Sequence, residues 1–95
     1  MDFRIKENSF VAKIAARKLK SKRVAMVLGK TIHLHNTSRE EFLSDDRWVK
    51  HELKHIDQFR RYGYLNFVIR YLWESFKKGY YMNRFEVEAR EAENQ

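Results

Sequence analysis

The stretch Arg47–Gly63, RWVKHELKHIDQFRRYG, decides how this chain is read. Its apolar residues recur at helical spacing and give a flank of Trp48, Ile56 and Phe59. Gly63 stands where a helix ends in a left-handed or extended residue. Inside the helix, His51-Glu52-Leu53-Lys54-His55 spells H-E-x-x-H. Residues four apart lie one above the other on a single helix face. His51 and His55 therefore both address one tetrahedral ion at about 2.0–2.1 Å. Glu52 lies roughly 60° around the helix from His55, beside the ion rather than on it. From there it serves as general base toward a water whose pKa zinc lowers to about 7. The bare pattern is moderately specific, and the helix around it adds weight.

Working outward, the pattern changes period twice. Upstream, RVAMVLGKTIHLH alternates Val24, Met26 and Leu28, then Ile32 and Leu34 against Thr31, His33 and His35. With Gly29-Lys30 at its centre, this predicts a two-stranded hairpin. Before it, SFVAKIAARKLKS predicts a helix capped by Ser9, with Phe10, Val11, Ile14 and Leu19 along its apolar stripe. The H-E-x-x-H helix is expected to run from about Ser38 or Ser44 to Tyr62, since Ser38 with Glu41 forms a capping-box pattern and Ser44 offers a second start. Downstream, YLNFVIRYLWESFKKG predicts a helix closed by Gly79, and NRFEVEAREAENQ predicts another capped by Asn83. The expected order is helix, hairpin, then three helices, an α+β domain with a minimal sheet.

With 95 residues the chain has room for one domain, spanning 1–95. A domain this small buries a modest share of its surface and gains from a staple. Cysteine is absent, which excludes disulfides and a thiolate metal site. A metal held by His and Glu would supply both stability and chemistry. No apolar run is long enough for a membrane span, and no signal peptide is evident, so the expected location is the cytoplasm. The net charge of +7 gathers in KIAARKLKSKR and at Arg60, Arg61, Arg70, Lys77 and Lys78. That excess reads as a solvated surface, and no nucleic-acid motif accompanies it. The aromatic run Tyr64, Phe67, Tyr71, Trp73 and Phe76 is expected in the core, partly as a wall behind the metal site. The small core and aromatic content also suggest a homo-oligomer.

A third metal ligand is required. One large class places a Gly three residues after the second His and another His three beyond, but Gln58 and Arg61 occupy those positions. The other takes a carboxylate from a later helix, where Glu86, Glu88, Glu91 and Glu93 are available. The apolar stripe of that helix is Met82, Phe85, Ala89 and Ala92, and Glu86 and Glu88 flank it equally. Asn83 and Glu86 also fit a capping box, a competing task for the Glu86 carboxylate.

HELKH followed by NRFEVEAREA resembles the gluzincin branch of the zincin metallopeptidases, in particular small bacterial H-E-x-x-H domains. The likeness runs from about Val24 to Ala92. In that branch a Phe-Glu-x-x-Ala string supplies the third ligand, which names Glu86 within Phe85–Ala89. The implied site is Zn2+ on His51, His55 and Glu86, with Glu52 catalytic. The implied activity is peptide hydrolysis, with the substrate pairing along an edge strand, Thr31–His35. An oxyanion donor is then sought among His33, His35, Tyr62, Tyr64, Tyr80 and Tyr81. Many members carry an Asp four residues after the ligand Glu to orient a ligand His; here that position is Arg90, so the orienting group must come from elsewhere. Only nine residues follow Glu86, which implies an open cleft and slow, narrow or partner-dependent hydrolysis. The alternative is a non-catalytic domain, zinc-stabilised or acting as a basic module for an acidic partner or nucleic acid. A closed fourth coordination position, or a Glu52 engaged elsewhere, would mark that alternative.

Overall fold

The structure, a computed structural model, describes residues 2–95. It is α+β, and its elements run β1 (Arg4–Lys6), α1 (Phe10–Leu19), β2 (Val24–Leu28), β3 (Thr31–His35), α2 (Arg39–Ser44), α3 (Asp46–Tyr62), α4 (Tyr64–Met82) and α5 (Arg84–Ala92). The hairpin forms as expected, with Leu28 opposite Thr31 and a two-residue loop between them. Gly29 has φ +65°, the sign that the first position of such a turn demands, and a Cβ there would press on the Tyr64 ring at 3.2 Å.

The sheet differs from expectation in one consequential way. β1 pairs in parallel with β3, Ile5 against Ile32, so the strand order is β1-β3-β2. Thr31–His35 is therefore the central strand, hydrogen-bonded on both sides, and cannot receive a substrate. The free edges belong to β1 and β2.

Alternation divides the two faces of the sheet. Ile32 and Leu34, wholly buried, join Val27 on the face covered by Phe42, Ile56, Phe59, Phe67 and Phe85 from α2 to α5. On the other face α1 lays Ala12 and Ala16 against Val24 and Met26. This corrects the expected α1 stripe. Small residues let the helix axis approach the sheet closely, which turns Phe10 (73% exposed), Val11, Ile14 and Leu19 outward. The aromatic expectation for α4 is likewise only half met. Phe67 is buried and Tyr71 partly so, whereas Tyr64, Trp73 and Phe76 are exposed.

Capping chemistry sets the helix boundaries. Ser9 Oγ accepts from Ala12 N at 3.4 Å, and Ser38 with Glu41 closes the capping box of α2. Asp45, not Ser44, starts α3 by accepting from Trp48 N at 3.1 Å. Gly63, at φ +82° and ψ 154°, ends α3 and lets α4 begin at the next residue. The helical run of α4 closes at Gly79 as expected, where φ +82° and ψ 165° are non-helical, and a single further turn carries the element to Met82. Among the described residues no helix is long and apolar enough to cross a membrane. Asn83 is fully buried and ties the start of α5 to α4 through the Tyr71 carbonyl and Ser75 Oγ, both at 2.9 Å.

Phe85 is wholly buried between α3 and α4, whereas Phe76 is 84% exposed. Phe85→Ala is expected to cost about 3–5 kcal/mol in urea unfolding, while Phe76→Ala should stay within about 0.5 kcal/mol of wild type.

Candidate metal centre

Two helices build the centre. The middle of α3 carries His51, Glu52 and His55, and the first turn of α5 brings Glu86 beneath them. Glu86 Oε1 lies 3.1 Å from His51 Nε2 and 3.2 Å from His55 Nε2. One donor atom from each of the three residues lies within 4.8 Å of the others. Ligands at about 2.0–2.1 Å around a tetrahedral ion are separated by roughly 3.3–3.4 Å, so the two measured edges suit such an ion.

The imidazoles are oriented from behind. His51 Nδ1 lies 2.7 Å from Glu93 Oε2, and His55 Nδ1 lies 2.8 Å from Gln58 Oε1. Gln58 donates to the Phe85 carbonyl at 3.1 Å and to Glu88 Oε1 at 2.9 Å, which fixes its amide oxygen toward His55. With both Nδ1 atoms donating, both Nε2 atoms of the neutral rings are lone pairs aimed at a carboxylate oxygen. Acceptors facing acceptors in a buried site require a proton or a cation between them. The donor set thus fits a divalent ion bound by two neutral histidines and one carboxylate.

Glu86, rather than Glu88, is the carboxylate that faces both histidines. Its carboxylate does not turn back to cap the helix; the Asn83 side chain caps α5 through Phe85 N at 2.8 Å. The second Glu86 oxygen accepts from the Tyr71 hydroxyl. Glu88 instead accepts from Gln58, outside the cluster. The orienting role that Arg90 cannot fill falls to Glu93, seven residues after Glu86 and so on the same face of the helix axis. That i,i+7 relation is the signal by which the sequence could have disclosed it. Gln58, three residues after His55, is likewise legible only once the ligand is known.

Glu52 is buried at 4% exposure and, like His51, lines both of the adjoining cavities. Among the described residues no hydrogen-bond donor claims its carboxylate. Burial pushes its pKa up to about 7, against the pull of His55 and His51. Burial opposes the charge of His51, but the Glu86 hydrogen bond and the charge of Glu52 prevail, helped by Glu93, and raise it to about 9. His55 is raised in the same way, chiefly by Glu86. Burial disfavours ionised Glu86 as well, yet hydrogen bonds from both histidines hold it well below the usual carboxylate range.

One cavity, about 420 Å³, is an apolar groove that passes Met26 and Leu28 of β2 and Val68 and Leu72 of α4. The other, about 620 Å³, is more polar and passes Arg23, Arg47 and Asp45. Tyr80 lines both. None of the other oxyanion candidates lines either cavity. His33 Nδ1 bonds Ser9 Oγ at 2.8 Å, His35 pairs with Val24 at the strand end, and Tyr81 carries the Arg90 guanidinium 3.9 Å from its ring centre. Tyr62 packs on Phe85 and Tyr64 on Phe59. Comparison with protein-family models, curated proteins and solved structures found no match. The reading of the site therefore rests on its own geometry.

Titration by zinc against a competing chelator should separate the roles. His51→Ala and Glu86→Ala are expected to abolish one-to-one binding, Glu88→Ala to leave it unchanged, and Glu93→Gln to weaken it about 10–100-fold. The pH dependence has a definite sign. In chelator-treated protein, His51 has a raised pKa and stabilises the fold fully below pH 6.5, losing that contribution as pH rises through about 9. Glu86, depressed, contributes above about pH 4.5 and loses its contribution on acidification. Zinc displaces the histidine protons, so the zinc-induced rise in melting temperature should grow steadily from pH 6 to 8.5.

Proposed function

We propose that the protein is a zinc-dependent metallopeptidase of gluzincin type, with His51, His55 and Glu86 as ligands and Glu52 as general base. The observation that carries this reading is the pairing of a three-donor cluster with an unengaged, buried Glu52 beside it. Three protein donors leave a fourth tetrahedral position for a reactant, the pattern of catalytic rather than structural zinc. A structural site would have no use for a buried carboxylate without a partner.

Zinc bound there supplies Lewis acidity, which acidifies water and polarises the scissile carbonyl. The chain does the rest. Glu52 takes a proton from the attacking water and delivers it to the leaving amine. Glu93 and Gln58 keep the histidines aimed, and Tyr71 holds the second oxygen of Glu86. Tyr80, at the junction of the two cavities, is the donor for the oxyanion. Burial and the charge of Glu86 keep its phenol protonated.

The substrate strand is β2 rather than β3. Its outer edge is free, and Val24 and Ala25 line the cavity that holds His51 and Glu52. An extended peptide paired with that edge passes the zinc site, with an apolar side chain entering the groove beside Met26 and Leu72.

A peptide library displayed with the zinc-loaded protein tests this reading. Cleavage beside apolar residues is expected, with Glu52→Gln retaining zinc but losing about 10²–10⁴-fold in kcat/KM. Tyr80→Phe should lose about 10–10³-fold in kcat with little change in KM. Hydrolysis that persists in Glu52→Gln would overturn the mechanism.

A further inference from the structure

The outer side of α4 is unlike any other surface of the molecule. Leu65, Ile69, Leu72, Trp73 and Phe76 are each between 58% and 84% exposed, on a helix whose inner face is already filled by Phe67 and Tyr71. α1 adds Phe10, Val11, Ile14 and Leu19, all turned outward. Although α1 and α4 cover opposite faces of the sheet, Leu19 and Leu72 line the same groove, so the two helices flank its mouth. Scattered apolar residues on a surface are ordinary, but a continuous exposed face of this kind marks an interaction site.

Charge selects the occupant. α1 contains Lys13, Arg17 and Lys18 and no acid, and none of its cations is in an ion pair among the described residues. α4 contains Arg70, Lys77 and Lys78, and its single acid, Glu74, is buried and pairs with both lysines. Across the two helices six cations stand against one acid, and the three cations of α1 have no ion-pair partner among the described residues. A second copy seated on these helices would bring an excess of cations against cations, with Glu74 already paired, which opposes a symmetric dimer. Trp73 and Phe76 stack at 6.1 Å and Lys77 lies 5.7 Å from the Trp73 ring centre, an aromatic and basic grouping suited to a headgroup layer.

We infer that the outer faces of α1 and α4 dock on an anionic lipid bilayer surface, lying on it without spanning it. The apolar residues enter the acyl boundary and the surrounding lysines and arginines meet the headgroup phosphates. The groove to His51 and His55 opens between these helices, so the docked protein faces polypeptide at the lipid surface; this last step rests on the peptidase reading.

Flotation of the full chain with vesicles tests the docking without any assay of hydrolysis. Binding is expected to vesicles of 70% phosphatidylcholine and 30% phosphatidylglycerol, to weaken with added salt, and to be at least tenfold weaker on phosphatidylcholine alone. Leu72→Ser with Phe76→Ser should lower binding at least tenfold while leaving the melting curve unchanged, since both side chains are exposed. Arg17→Gln with Lys18→Gln should lower binding to the anionic vesicles roughly fivefold per cation removed. The inference is overturned by absence of flotation, by flotation that the charge variant leaves unaltered, or by a dimer in sedimentation that Phe76→Ser dissolves without any vesicle binding.

Discussion

Glu86 places a carboxylate on α5, at 3% exposure, against two histidine nitrogens of α3. A buried charge of that kind persists only when paired, and much around it serves the pairing. Asn83 starts α5 and ties it to α4, Tyr71 reaches from α4 to the second Glu86 oxygen, and Gln58 spans from His55 to the α5 backbone. Phe85, the neighbour of Glu86, fills the core that the three helices share with the sheet. The histidine–carboxylate cluster and the hydrophobic core are thus built together, joined at consecutive residues.

The same coupling explains why so small a chain is organised around a polar cluster. One face of the sheet is covered by a single helix through alanines, and the other by four helices meeting on a handful of phenylalanines. Neither layer is large. An ion shared between α3 and α5 would cross-link elements that are far apart in sequence and restrict the unfolded chain as well as the folded one. It would also take the place of the protons that otherwise bridge the two histidines and the carboxylate.

Local chemistry made much of this legible in the sequence. Ser9, the Ser38–Glu41 box, Gly29, Gly63 and Asn83 act within a turn or two of chain, and each stands where its pattern places it. His51 and His55 are likewise local to one helix. What failed depended on partners distant in sequence. β1 is three residues long, too short to alternate, and its pairing with β3 moved the free edge to β2. In α1 both the large residues and the alanines recur at helical spacing, and only the closeness of the sheet selects the alanines. Glu86 and Glu88 were equivalent about their own helix; α3 separates them by presenting histidines to one and Gln58 to the other. Glu93 was seen as an acid of the same helix, but its role appears only once His51 is beside it.

The central claim is the coordination of one zinc by this set, and X-ray absorption at the zinc edge of the reconstituted protein addresses it directly. The account predicts four light-atom ligands at about 2.0–2.1 Å, with multiple scattering from two imidazoles, and loss of the carboxylate contribution in Glu86→Gln. An octahedral oxygen shell without imidazole scattering, or a spectrum unaltered by Glu86→Gln, would contradict it.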